Sequence, residues 1–179
     1  MNTFSDPQNI VEQGDFFPGQ EVADFGVGSG AYTMAIARKI AGDPKSRVFA
    51  IDVQRDLLDR VASEAENEHL DSVNVVWGDL ETQGGSRLKD ASVSAVVIAN
   101  TLFQLEDKKA VLKEAWRVLR SDGRLIIVDW SESFGNIGPK EDHVVTEATA
   151  KTLTEETGFI FDRNLKAGEH HYGFMSRKN

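Results

Sequence analysis

Seven residues in the first hundred have the side chains or the backbone freedom to hold a ligand: Asp24, Gly26, Gly28, Gly30, Asp52, Asp79 and Asn100. In "VADFGVGSGAYT", residues 22–33, the three glycines stand at alternate positions directly after an apolar run. Glycines so spaced leave main-chain N–H groups and a following helix N-terminus open to a ligand, with no Cβ in the way. Two kinds of ligand use such a loop. Gly26, Gly28 and Ala31, with Asp52 downstream, satisfy the dinucleotide pattern G-x-G-x-x-G/A. Gly26, Gly28 and Gly30 equally satisfy the tighter G-x-G-x-G spacing of another nucleoside-binding family.

The acids narrow the choice. Asp24 precedes the first glycine by two residues, where a carboxylate would repel a pyrophosphate but suit an ammonium or sulfonium group. Its alternative role is to cap the turn. Asp52, followed by Val53, can accept bonds from both hydroxyls of a ribose and fits either ligand. Asp79 follows Gly78 in "VVWGDLE". A carboxylate there can accept from the exocyclic amine of adenine while the Leu80 N–H donates to the ring, although a plain turn residue is the other reading. Asn100, in "IANTLFQLED", offers an amide donor and acceptor to an amino-acid moiety. Taken in order, the four positions sketch S-adenosylmethionine: its charged amino-acid end at Asp24 and Asn100, ribose at Asp52, adenine at Asp79.

This order needs each residue at the end of a strand, and the chain supplies the strands. Short β-branched runs alternate with amphipathic segments, the pattern of an α/β fold with a parallel sheet. Strands are expected at 21–25, 47–52, 73–77, 92–100 and 122–130, with helices at 31–42, 53–70, 108–120 and 145–158. Asp107 is placed to N-cap the third of these helices, whose inward stripe is Val111, Leu112, Ala115, Val118 and Leu119. Residues 1–20 read as a short helical lead-in to a single domain spanning 1–179. The end differs. Runs 159–165 and 170–178 are separated by "KAGE" alone, too short for a crossover helix, so they form an antiparallel hairpin. Five βα units closed by a hairpin is not the six-stranded parallel dinucleotide domain.

Composition bounds the partners. The 179 residues are 40% hydrophobic and 27% charged, ordinary for one soluble domain, with a formal net charge of -9. The most basic places are scattered pairs such as Lys108 and Lys109 and the tail "SRKN", which disfavours a nucleic-acid substrate. No apolar run is long enough to span a membrane, and the first residues lack the pattern of a secretory signal. With no cysteine there is no disulfide, thiolate metal site or thiol nucleophile, and a cytoplasmic location fits best.

The chain resembles a small class I S-adenosylmethionine-dependent methyltransferase, similar to the ubiquinone/menaquinone-biosynthesis type. "FPGQEVADFGVGSG", "VFAIDVQ", "VVWGDLE" and "LKEAWRVLRSDGRLIIVDW" carry the likeness, from about residue 17 to 177. It implies a three-layer, Rossmann-like, seven-stranded and mostly parallel sheet of order 3-2-1-4-5-7-6. It also implies that Asp24 and the glycine loop hold the methionine end, with Asp52 on ribose, Asp79 and Leu80 on adenine, and the Asn100 region on the amino group. "RSDGR" replaces the family's Pro-Gly-Gly turn, and the lead-in is shorter than the lid of many members, so cover for the acceptor is slight or comes from a second subunit of a homodimer.

The acceptor side is less defined. Phe103, Gln104, Trp130 and Tyr172 are candidates to line it, with Asp129 nearby, and the expected acceptor is a small molecule. His143, His170 and His171 are candidates for a general base, or for a metal site with Glu147, against ordinary surface or strand histidines; no metal is expected. His170 and His171 point to opposite faces of a strand, so only one can join a given site. A nicotinamide-dependent oxidoreductase and a non-catalytic S-adenosylmethionine-binding subunit are the competing readings. The first leaves Asp24, Asp79 and the hairpin without a role.

Overall fold

The computed structural model describes residues 5–135 and 137–179. Seven strands form one sheet in the order β3-β2-β1-β4-β5-β7-β6. They are β1 (Glu21–Phe25), β2 (Arg47–Asp52), β3 (Val73–Trp77), β4 (Val93–Ala99), β5 (Leu119–Trp130), β6 (Ile160–Leu165) and β7 (His171–Arg177). The first five pair in parallel, and β7 runs antiparallel to both β5 and β6. The strand order is as the resemblance implies, and the terminal hairpin is as the short "KAGE" spacing implies.

Helices cover both faces, as a buried parallel sheet requires. On one face α1 (Pro7–Gln13) and α2 (Ala31–Ile40) pack through Ile10, Tyr32 and Ile36 onto Val22, Val97 and Ile126. On the other, α4 (Lys108–Val118) and α5 (Glu147–Glu156) pack through Val111, Leu112, Ala115 and Ala150 onto Val96, Ile98 and Ile127. Burying each such aliphatic side chain stabilises the fold by roughly 1.5–3 kcal/mol. The remaining helix, α3 (Arg55–Asn67), closes over β2 and β3 with Leu58 and Val61.

Local signals set the helix ends. Asp6 accepts from the N–H groups of Gln8 and Asn9 to open α1, and Asp107 accepts from that of Ala110 at 3.0 Å to open α4. Gly158, at φ +106°, closes the segment after α5. The helices end up to three residues inside the expected spans, and at one boundary the chain changes element. The third expected helix stops at Val118, and Leu119 already pairs with Val93 as the first residue of β5. A register shift and a left-handed Asp122 (φ 60°) then absorb the turn, because the buried Leu119 gains more from the sheet than from another helical residue.

Chain connections run away from β1 on one side toward β2 and β3, and on the other from β4 toward β5. The reversal between β1 and β4 splays the loops leaving their carboxyl ends and opens a crevice there.

Candidate active site

That crevice is a cavity of about 740 Å³. Eight of the ten positions expected to hold the cofactor line it: Gly26, Gly28, Asp52, Val53, Gly78, Asp79, Leu80 and Asn100. The other two, Asp24 and Gly30, stand behind its wall.

The glycine loop is built by its φ angles. Gly26 at +81°, Gly28 at +50° and Gly30 at +83° all take the left-handed region. Gly30 is also the N-terminal cap of α2, and a Cβ on it would sit 2.7 Å from Val61 Cγ2. A Cβ on Gly26 would meet the Thr101 side chain at 2.6 Å, so β1 and the loop after β4 touch through bare backbone. Gly28 is different. A Cβ there would meet nothing within 4 Å, and the N–H groups of Gly28 and Ser29 bond to none of the described residues. The loop therefore presents free main-chain donors at the start of a ten-residue helix, a setting for an anionic group such as a carboxylate.

Asp24 lies beneath this loop with 1% of its surface exposed, and its Oδ2 accepts from Thr33 Oγ1 at 2.6 Å. Burial pushes its carboxyl up to about 7, against the pull of the Thr33 hydroxyl, and the nearby charge of Asp52 adds to the rise. A positive group above the loop would reverse that shift.

Asp52 ends β2 with Oδ1 accepting the Gln54 N–H at 2.9 Å. Asp79 holds the next turn, Oδ1 accepting from the Glu81 N–H and Oδ2 from the Thr82 hydroxyl. Both expected roles for Asp79, turn-former and ligand acceptor, are compatible, because each carboxylate oxygen has a second lone pair. Val53 is half exposed at the rim, its carbonyl taking the Trp77 indole N–H at 2.9 Å. Asn100 stands directly after β4 at φ +54°, its N–H bonded to the Val128 carbonyl, its Oδ1 buried with no partner among the described residues. A buried acceptor left unpaired costs about 1–3 kcal/mol, which a donor on a ligand would recover.

The acceptor-side residues divide. Phe103, Gln104 and Trp130 line the same cavity, with Ser5 and Pro7 of the lead-in closing over it. Ser5 Oγ and Tyr32 Oη are hydrogen-bonded, which ties the lead-in to α2. Tyr172 does not line it. Its ring packs in the α4/α5 core near Phe174, and its hydroxyl has no partner among the described residues; its burial pushes its pKa up. Asp129 also turns away from the cavity, accepting from the N–H groups of Leu102 at 2.9 Å and Trp130 at 2.8 Å. Burial raises its carboxyl to about 6 despite those donors. It anchors the turn that carries Phe103.

The histidines occupy three separate settings. His143 is exposed on a second cavity of about 600 Å³, separated from the first by Phe103, Gln104 and Leu105. His170 Nδ1 lies 2.8 Å from Glu132 Oε1, and its ring stacks on Phe134 at 3.8 Å. His171 is buried against Trp130, ring centroids 4.3 Å apart, with neither nitrogen partnered among the described residues, and burial lowers its pKa to about 4. Among the described residues no three His, Asp or Glu side chains converge to hold a metal.

No sequence pattern points to Thr33, Thr101, Ser5 or Gly138, whose roles come from distant elements meeting. A Cβ on Gly138 would press on the Trp130 ring at 2.8 Å, so the loop after β5 lies flat on the cavity wall. Glu114 could have been found: it is a charged residue inside the apolar stripe of α4, and the structure buries it.

A sequence model described as a methyltransferase domain matches residues 23–127, more than half of the chain, including the glycine loop and the loops after β2, β3 and β4. The chain belongs to the methyltransferase domain family. This methyltransferase domain is 31% identical over 152 residues to a ribosomal protein L11 methyltransferase of Enterococcus faecalis, covering 84% of this chain and 41% of that protein. It is 30% identical over 121 residues to a demethylmenaquinone methyltransferase of Tropheryma whipplei, covering 68% and 46%. The chain thus spans less than half the length of these curated relatives. A solved S-adenosylmethionine-dependent methyltransferase from Aquifex aeolicus superposes with a TM-score of 0.88 at 24% identity, over 99% of this chain and 92% of that one. The fold is that of a class I methyltransferase, and S-adenosylmethionine is the cofactor that this domain takes. Among the described residues no helix is long and apolar enough to cross a membrane.

Proposed function

We propose that this chain transfers a methyl group from S-adenosylmethionine to a small-molecule acceptor bound between Phe103 and Trp130. One observation carries the reading: the unpartnered Asn100 oxygen, the free N–H groups of Gly28 and Ser29, and the acids Asp52 and Asp79 all face one cavity. Those groups fit, in order, an ammonium, a carboxylate, a ribose diol and an exocyclic amine.

Bound S-adenosylmethionine supplies a methyl group on a sulfonium whose charge is lost as the methyl leaves. The protein's part is to fix geometry and exclude water, and positioning alone supplies effective molarities of about 10⁵ M or more. Asn100 and the loop amides hold the amino-acid end. Asp24 adds a buried negative charge below it. Asp52 accepts from the ribose hydroxyls, and Asp79 with the Leu80 N–H reads adenine. Phe103 and Trp130 form the apolar walls against which the acceptor is aligned, and Gln104 is held in place by its Nε2 donating to the Asn100 carbonyl at 2.9 Å. His171, buried and uncharged above about pH 4, keeps the Trp130 ring in place. The cysteine-free, acidic sequence is in keeping with a cytoplasmic enzyme.

Calorimetry with S-adenosylhomocysteine and with NAD tests the cofactor; tighter binding of NAD overturns the reading. Incubating the purified chain and methyl-labelled cofactor with small-molecule, protein and RNA fractions of a cell extract tests the acceptor. Label confined to protein or RNA would refute a small-molecule acceptor.

A further inference from the structure

The loop between β3 and β4 is pinned from below by one buried side chain. Glu114, on the inward face of α4, is 2% exposed. Its Oε2 accepts the Gly84 N–H at 3.0 Å, and its Oε1 accepts both the N–H (3.0 Å) and the hydroxyl (2.5 Å) of Ser86. Arg117, one turn along, completes the shell: Nε and Nη2 donate to Glu114, Nη2 also to the Leu88 carbonyl, and Nη1 to Asp90. Together the pair fixes backbone from residue 84 to 90.

That backbone is the wall behind the adenine end of the cavity. Gly85 N donates to the Thr82 carbonyl at 2.8 Å, and Thr82 N to the Asp79 carbonyl at 3.1 Å, so the chain folds into two stacked turns. A Cβ on Gly85 would overlap the Asp79 carbonyl oxygen, and one on Gly78 would overlap the Gly85 carbonyl oxygen. The 84–86 turn and the Gly78–Asp79 peptide are in direct contact and cannot move independently. Thr82, inside the same turns, also donates its hydroxyl to Asp79 Oδ2 at 3.1 Å.

We propose that Glu114 is a positioning residue for cofactor recognition, setting through the 84–86 turn the placement of Asp79 and Leu80 and hence selectivity for adenine. This rests on the cofactor reading given above. The carboxylate is suited to the task. It has four acceptor sites and is met by the Gly84 and Ser86 donors and by Arg117, so every bond is charge-assisted. Burial alone would raise its pKa, but Arg117 and the Ser86 and Gly84 donors outweigh it and hold the carboxyl down to about 2. The anchor is thus ionised throughout the working range of an enzyme.

The test compares S-adenosylhomocysteine with S-inosylhomocysteine, in which the 6-amino group is replaced by oxo. With Asp79 and the Leu80 N–H in place, wild-type protein prefers the adenosine form by roughly tenfold or more, the value of a hydrogen bond to a charged group. In Glu114→Gln one acceptor oxygen becomes an NH₂ facing further donors, and the preference falls below about threefold, chiefly through weaker binding of the adenosine form. General destabilisation would weaken both ligands alike and leave the ratio intact. Ser86→Ala, which removes one donor and keeps the fold, should lower the ratio partway. A ratio unchanged in the folded variants overturns the inference alone. Wild-type protein that binds both equally also overturns it. Wild-type protein that binds neither overturns the cofactor reading and this inference with it.

Discussion

Thr33 Oγ1 donates to Asp24 Oδ2 across 2.6 Å, joining the first turn of α2 to β1 beneath the glycine loop. The carboxylate is otherwise sealed, and the resulting rise of its pKa to about 7 makes it the most strained acid among the proposed ligand groups. Its folded pKa exceeds the unfolded value of 3.8, so the folded state binds this proton more tightly. Between about pH 4 and 7 this one group lowers stability as pH rises, and above 7 the cost is constant.

In the proposed complex the cationic end of the cofactor favours the ionised form of Asp24. Binding at pH 6 should therefore release close to one proton, read by calorimetry in buffers of different ionisation enthalpy. Asp24→Asn should abolish that release and weaken cofactor binding by roughly tenfold, while its melting temperature at pH 8 equals or exceeds the wild type's. Proton release that persists in the variant would point to another group.

Gly28→Ala separates binding from folding. The residue sits at φ +50° with open space around it, so the substitution costs about 1 kcal/mol of backbone strain and meets no clash. The added methyl enters the cavity instead. Cofactor affinity should fall much further than stability does. Gly26→Ala, which drives a Cβ against Thr101, should instead lower the melting temperature more than Gly28→Ala does.

Asn100 combines a left-handed backbone with an orphaned amide oxygen. Asn100→Gly keeps the backbone conformation and deletes the amide, so stability should change by less than about 1 kcal/mol. Affinity for S-adenosylhomocysteine should drop by about tenfold. An unchanged dissociation constant would remove Asn100 from the cofactor site.

His171 answers to acid. Burial, with the neighbouring His170 charge, depresses its folded pKa from 6.5 to about 4, so the unfolded chain binds this proton more readily in between. Its share of stability is full above about pH 6.5 and is lost as pH falls to about 4. His171→Phe retains a ring against Trp130 and removes two unpartnered nitrogens. Denaturant unfolding at pH 7 should show equal or slightly greater stability, and the decline between pH 6.5 and 4 should be shallower than in wild type. Methyl transfer near pH 8 should survive, since His171 is given no proton to move.

The strands, the helix caps and the terminal hairpin were legible in the sequence because each rests on local rules. Alternating β-branched runs, an Asp107 before an amphipathic stretch, and a four-residue gap that no crossover can bridge are all short-range facts. The order of acids at strand ends was legible for the same reason: a parallel α/β sheet puts every strand terminus on one edge, so Asp52, Asp79 and Asn100 had to share it. Tertiary structure decided what those local rules cannot reach. It sank Asp24 behind the loop onto Thr33, turned Asp129 from the acceptor side into an anchor for Leu102, took Tyr172 into the core, and scattered the histidines. It also converted Glu114, a polar residue on a buried stripe, into the post that holds the turn at residues 84–86. Each outcome depends on which residues, far apart in the chain, fill the same few ångströms and what burial then does to their charge, and sequence spacing carries no measure of either.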